Sequence, residues 1–228
     1  MRWIFAAAAA LCLLLAGLAH SRLQTFANSF ALWDDAARKN TDAAAPYAER
    51  PLVNRGMAHL DAGRLGPAGA DFQRALEINP RSPDALVGRG TLRLRSDRLH
   101  EALEDFDQAI ALDPKYGSPY DKRCIVKVRL RGAKEASDDC DRAVSLDPLN
   151  DDAWINRGVV RRALGDRAEA MASYERALDI NPANGSAHYN YGVLLLESGR
   201  RDLFVRQHFV VACKARIPQA CELLERSR

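Results

Sequence analysis

The chain has 228 residues, 47% hydrophobic and 28% charged, the make-up of a helical globular protein rather than a disordered or collagen-like one. Its 33 basic and 30 acidic residues leave a formal charge of +3, too little for the overall field to draw it onto nucleic acid or anionic lipid. The chain opens with Arg2 and an apolar run from Trp3 to Ala19. Such a run is a cleaved export signal or a retained membrane anchor. Gly17-Leu18-Ala19 offers the small residues of a cut before His20, while 17 residues at about 1.5 Å each span roughly 25 Å of bilayer. Both readings place the remainder outside the cytoplasm, on the periplasmic or lumenal side. A buried helix of a cytosolic protein is the third and least favoured. In the segment 21–48, Phe26, Phe30, Trp33 and Ala37 recur at spacings of three and four, which predicts an amphipathic helix ending near Lys39 and then a linker.

From there one pattern recurs. Pro80, Pro114, Pro148 and Pro182 stand 34 residues apart. Arg55, Arg89, Arg123 and Arg157 keep the same step, as do Ala75, Ala109, Ala143 and Ala177, and Phe72, Phe106, Cys140 and Tyr174. A fixed period of 34 with helical spacing inside each unit resembles the tetratricopeptide repeat. That resemblance implies an all-α, right-handed superhelical solenoid of helix-turn-helix units at 49–82, 83–116, 117–150, 151–184 and 185–218, with a capping helix over 218–228. The family's small eighth residue is supplied by Gly56, Gly90, Cys124, Gly158 and Gly192, and its Ala at the twentieth by Ala68, Ala102, Ala136 and Ala170. Ser82-Pro83, Ser118-Pro119 and Asn150 read as helix N-caps. The fifth unit has Phe204, His208 and Val211 where Ala, an aromatic and Ala belong, so it reads as degenerate. The stretch from "SFALWDDAARKN" to "NRGMAHL" is similar to the junction of a last membrane helix with a first repeat in transmembrane O-mannosyltransferases that carry such repeats. It favours the anchor and supplies an alternative role, an accessory module of a membrane glycosyltransferase system.

Arg55, Arg89 and Arg123 each precede an aspartate, Asp71, Asp105 and Asp139, by 16 residues. This predicts structural ion pairs between the two helices of one unit rather than a row of ligand-binding arginines. In the fourth unit Ser173 replaces the aspartate. A second basic ladder, Arg93, Lys127 and Arg161, reads as a solvated face. The resemblance implies a concave peptide groove on the first helices: Val53, Asn54, Met57 and Asp61, then Val87, Thr91 and Arg95, then Lys122, Ile125 and Arg129, then Ile155, Asn156, Val159 and Arg162, and finally Tyr189, Asn190 and Val193. Arg95, Lys122 and Arg129 would make its middle basic and suit an acidic partner. Cys213 and Cys221 are similar in spacing to a cysteine pair of Sel1-like repeats, which implies a disulfide. Cys124 and Cys140 hold the eighth and twenty-fourth positions of one unit, so either they bond or two medium side chains fill the space of a glycine and an aromatic. His20, His59, His100, His188 and His208 show no metal spacing, and no catalytic motif is present. The sequence thus points to a non-catalytic scaffold for a protein or peptide partner, without cofactor, metal or nucleic acid.

Overall fold

The computed structural model describes residues 29–39 and 45–226. The apolar run 3–19, with its signal and anchor readings, lies outside the described residues. Among those described the chain forms twelve α-helices and no strand: α1 (Ser29–Lys39), α2 (Arg50–Asp61), α3 (Leu65–Ile78), α4 (Pro83–Arg95), α5 (Leu99–Leu112), α6 (Gly117–Arg131), α7 (Ala133–Leu146), α8 (Asp151–Ala163), α9 (Arg167–Ile180), α10 (Gly185–Glu197), α11 (Leu203–Lys214) and α12 (Pro218–Arg226). No described helix is long and apolar enough to cross a membrane. The helices form two compact units, one ending at Leu92 and one starting at Arg93.

In the first unit α1 packs on α2, and α2 on α3. Phe72 on α3 is wholly buried and explains two glycines. A Cβ at Gly56 would stand 2.7 Å from its ring, and one at Gly88 on α4 only 2.3 Å. The aromatic lies flat against both helix backbones because neither carries a side chain there.

In the second unit each helix from α5 to α12 packs on the next, and the first helices of successive pairs, α6 with α8 and α8 with α10, also touch. The first helices therefore share one face of this unit. Its largest core joins Ile155, Tyr174, Tyr191, Leu194, Leu195, Val205 and Phe209 with Ala170, Ala177, Ala187, Ala212 and Ala220. The turns inside pairs need a left-handed residue: Gly165 at φ +88° and Gly199 at +85°, with Asp97 taking the same region at +60°. Helix starts are capped where Asn150, Asn184 and Asp202 each accept a hydrogen bond from the backbone N–H three residues on, all at 3.1 Å. Ser82 accepts a longer one from Ala85, at 3.4 Å. Ser118 is no cap. It lies inside the first turn of α6, whose N-cap is Tyr116, without a side-chain bond.

The fifth pair departs from the expected register by one residue. Val205, Phe209 and Ala212, all buried, hold the places of the Ala, the aromatic and the second Ala, not Phe204, His208 and Val211. Phe209 is the ring that a Cβ at Gly192 would meet, at 3.0 Å, so it plays the part that Phe72 plays against Gly56. The cause is a longer turn, with α10 ending at Glu197 and α11 starting at Leu203, against Ala163 and Arg167 one pair earlier; α11 also starts one residue nearer its ladder, so the net offset is one. The unit is regular, with one residue inserted.

Candidate functional site

The second helices of both units share a buried polar position. Asp71, Asp105, Asp139, Ser173 and, in the shifted register, His208 occupy the same place in the five second helices, and all are buried. Arg55 donates to Asp71 from Nε at 2.9 Å and Nη2 at 2.6 Å, and reaches Asp34 of α1 with Nη1 at 2.9 Å. Bonding to Asp71 raises the guanidinium pKa over the opposing cost of burial. Arg123 repeats this with Asp139, at 2.8 and 2.6 Å, and with Asp107 behind it, at 2.7 Å. Each arginine thus ties its own second helix to the helix before. Arg157 lacks the aspartate and donates to Ser173 and Asp141, both at 2.7 Å, and to Glu169. In the fifth pair Tyr191 takes the arginine's place. Its hydroxyl donates to Glu175 at 2.6 Å and its ring stands edge-on to His208, centroids 4.9 Å apart. Arg89 and Asp105 belong to different units.

The second basic ladder is not a solvated face. Arg93 pairs with wholly buried Asp105 at 2.6 Å, Lys127 with Asp139 at 2.8 Å, and Arg161 with Asp141. The side chains of Arg93, Lys127 and Arg161 are only 18%, 20% and 21% exposed, so they serve as second counter-ions to the buried or half-buried carboxylates.

On the first-helix face of the second unit, Lys122, Ile125, Ile155, Asn156, Val159 and Asn190 line a hollow of about 360 Å³ with Asp152 and Ser186. Ile155 is buried as its floor, and Ile125 and Val159 are half-buried. Asp121, 2% exposed, accepts from Lys122 at 2.9 Å and from Asn156 Nδ2 at 2.7 Å. Asn190 donates through Nδ2 to the Ser186 carbonyl at 2.9 Å. Both amide groups are oriented by these bonds, and each keeps its Oδ1 for another donor. Tyr189 packs edge-on to Phe209, with centroids 6.3 Å apart, and Val193 is half-buried beside the same core.

The basic middle expected of the groove is neutralised in part. Lys122 is paired with Asp121, Arg129 with Asp97, and Arg162 stands 3.7 Å from Glu197. Arg95 ends α4 at the start of the second unit. In the first unit Asn54, Met57 and Asp61 line a hollow of about 520 Å³ with Phe30, Trp33 and Arg64, whose guanidinium lies 4.4 Å over the Phe30 ring. Val53 and Val87 are buried. Thr91 is buried too, and its hydroxyl donates to the Val87 carbonyl at 2.8 Å, so it serves its own helix instead of a ligand.

Cys124 and Cys140, both buried, stand at disulfide distance with Cα atoms 5.4 Å apart; Cys213 and Cys221 do so at 4.9 Å. His188 and His208 meet through Nδ1 atoms 2.7 Å apart, with His188 Nε2 3.0 Å from the Pro182 carbonyl. His188 donating to that carbonyl and accepting from His208 satisfies both bonds with two neutral rings. No group of three or more His, Cys, Asp or Glu among the described residues could hold a metal ion.

A family model described as Tetratricopeptide repeat matches residues 53–117, and one described as TPR repeat matches 160–199. The chain carries tetratricopeptide repeats. Its helix-pair packing is that of a tetratricopeptide solenoid, and solved structures agree. TTC0263, a tetratricopeptide protein of Thermus thermophilus, is 26% identical over 78% of this chain and 96% of its own, with a TM-score of 0.65. PilF of Pseudomonas aeruginosa is 21% identical over 73% and 75%, TM-score 0.65. YrrB, described as a tetratricopeptide protein with an unusual peptide-binding site, is 21% identical over 87% and 99%, TM-score 0.56. The last two likenesses are likenesses of fold. Among curated proteins no sequence matches.

Sequence reasoning missed the Asp121–Asn156 bond, although an aspartate and an asparagine 35 residues apart, one step along successive first helices, were open to inspection. It also missed that the histidine pair continues the buried ladder, which a one-residue shift of the fifth unit would have shown.

Proposed function

We propose that the chain is a non-catalytic scaffold that holds an extended peptide or protein segment along the first-helix face, outside the cytoplasm. One observation carries the proposal. Asn156 and Asn190, one repeat apart, are oriented by bonds from their own amide nitrogens, and their oxygens remain open above Ile125, Ile155 and Val159. An extended backbone offers an N–H every other residue on one side, which a row of fixed carboxamide oxygens can accept, while apolar side chains settle between the helices. Tetratricopeptide proteins bind protein or peptide partners, and YrrB is described with a peptide-binding site, which agrees with this use of the face. Because Lys122 and Arg129 already have carboxylate partners, an acidic ligand gains less here than an uncharged polar one with apolar anchors.

Export is supported by the apolar run 3–19 and by two cysteine pairs at bonding distance, which persist as disulfides in an oxidising compartment. The test of the groove is a peptide-array screen with the full chain, followed by titration of the best peptide. Asn156→Ala with Asn190→Ala should weaken that peptide by about tenfold or more, measured where both proteins are fully folded, because Asp121 loses a donor and the melting temperature falls with it. Equal affinity in the double variant would refute the groove. Thiol counting on native protein tests export separately: no reactive thiol among Cys124, Cys140, Cys213 and Cys221 is expected, and four would refute it.

A further inference from the structure

A second surface, away from the asparagine groove, lies at the far end of the second unit. Leu196 of α10, Leu203, Val205, Arg206 and Phe209 of α11, and Leu223 of α12 enclose a hollow of about 650 Å³, with Arg201 and Asp202 at its edge. Its floor is apolar and its rim is basic. Asp202 caps α11 and is bound by Arg200 at 2.7 Å, so its charge is matched. Arg201 and Arg206 are exposed and have no ion-pair partner among the described residues. The other arginines on this unit's helix-pair contacts, Arg93, Arg123, Arg157 and Arg161, all have carboxylates.

The chain's own repeats show that the apolar side chains here are out of the ordinary. With the fifth unit shifted by its inserted residue, Leu203 stands where earlier second helices carry Gly66, His100, Lys134 and Ala168. Phe204 stands where they carry Pro67, Glu101, Glu135 and Glu169. Polar or small residues are replaced by large apolar ones, yet Leu203 is 82% exposed and Phe204 46%. In the earlier pairs of this unit the next first helix covers the second helix: α8 packs on α7 and α10 on α9. α12 packs on α11 through Ala220 and the Cys213–Cys221 pair, which leaves the Leu203 end open. The open strip is shaped for another helix and wet on its rim with unmatched positive charge.

We propose that this hollow docks an acidic amphipathic helix of a protein partner, its leucine-class side chains seated on Leu196, Phe209 and Leu223 and its carboxylates on Arg201 and Arg206. Apolar contact supplies the affinity, and the two arginines set the sign of the partner and its orientation. A concave floor between three helices distinguishes the surface from a flat lipid-binding tip.

The test uses the full chain and a labelled synthetic helix-forming peptide with leucines at spacings of three and four flanked by glutamates. Its controls are the same peptide with lysine for glutamate, and vesicles of phosphatidylglycerol and phosphatidylcholine. The glutamate peptide should bind and the lysine peptide should not. Arg201→Glu with Arg206→Glu should weaken binding by about tenfold or more, as should Leu203→Asp, whose exposed site leaves the fold intact. Asn156→Ala should have no effect, which separates this surface from the groove. The proposal is overturned if the glutamate peptide does not bind, if it binds the charge-reversed variant equally well, or if it is lost in Asn156→Ala and kept in Leu203→Asp. Binding of the vesicles alone, abolished by Leu203→Asp, overturns it in favour of a lipid surface.

Discussion

Replacing Asp139 by alanine tests whether the buried ladder holds the stack together. The carboxylate is 6% exposed and receives three charged hydrogen-bonding groups: Arg123 Nε at 2.8 Å, Arg123 Nη2 at 2.6 Å, and Lys127 Nζ at 2.8 Å. Removing one side of a buried ion pair costs roughly 3–5 kcal/mol, mostly because the remaining charge is left unmatched. Two features move Asp139 to the low end. Arg123 keeps Asp107 at 2.7 Å, and the Lys127 stem can carry its ammonium toward water. A loss of about 3 kcal/mol corresponds to a melting shift of roughly 6–12 °C for a chain of this size. Asp107→Ala, at a carboxylate 54% exposed, is the control and should cost no more than about 1 kcal/mol.

Urea denaturation followed by circular dichroism gives the total. Hydrogen exchange gives its location, because stability in a repeat array is a sum of local terms and α6 and α7 should lose protection first. Both variants are measured under reductant, so that the Cys124–Cys140 pair is in one state. A triple variant, Asp139→Leu with Arg123→Met and Lys127→Met, should recover most of the loss, since it leaves no buried charge unmatched and the Asp107 it frees is exposed. Equal costs for Asp139→Ala and Asp107→Ala, or a cost under about 1 kcal/mol for the former, would refute a ladder that holds the stack.

Gly158→Ala should destabilise the protein by roughly 1–3 kcal/mol in the same denaturation, because the new Cβ would lie 2.4 Å from the buried Tyr174 ring. No loss would mean that the ring has room to move. His208 has its pKa pushed down to about 4 by burial first, then by His188 and Arg200. The unfolded chain therefore binds a proton near pH 6.5 that the folded chain refuses, so this stability is whole above about pH 6.5 and is lost as pH falls toward about 4. The full shift corresponds to about 3 kcal/mol, of which on the order of 1–2 should be realised, as α11 can open locally. His208→Phe should flatten the slope relative to the parent between those values, and parallel curves would refute the assignment.

Period and composition made the fold readable because a repeat states its packing rule several times. Gly56 and Gly158 recur in step with Phe72 and Tyr174, 16 residues on, and a Cβ at either glycine does meet that ring. Legibility stopped where a residue answers to something outside its own unit. Arg55 and Arg123 could be paired forward by their spacing of 16, but the backward bonds to Asp34 and Asp107 join neighbouring pairs, and no single unit displays them. The basic ladder at Arg93 and Lys127 looked solvated because long stems are usually so, yet a buried carboxylate with room for a second cation recruits one. Lys122 and Arg129 looked free for the same reason. The fifth unit was misread through a single inserted residue, which moves every ladder position and leaves the composition unchanged.

The shift also changes what the end of the stack can do. Where Arg123 and Asp139 form a salt-bridged pair, Tyr191 and His208 form an aromatic one, and the polar link to α10 becomes a bond between two neutral imidazoles 2.7 Å apart. A carboxylate between two cations is insensitive to pH across the range in which histidines titrate. The imidazole contact is not, since acid finally imposes on His208 a charge that its burial and the neighbouring His188 oppose. His208 further packs against Phe204, rings 4.7 Å apart, and Phe204 adjoins Leu203 at the rim of the open hollow. The bond that fastens α11 to α10 is therefore one residue's packing away from the surface assigned to an acidic helix. Charging His208 as pH falls toward about 4 opposes the packing of α11 on α10, a cost absent from the earlier second helices, which carry Asp105, Asp139 and Ser173 at this place.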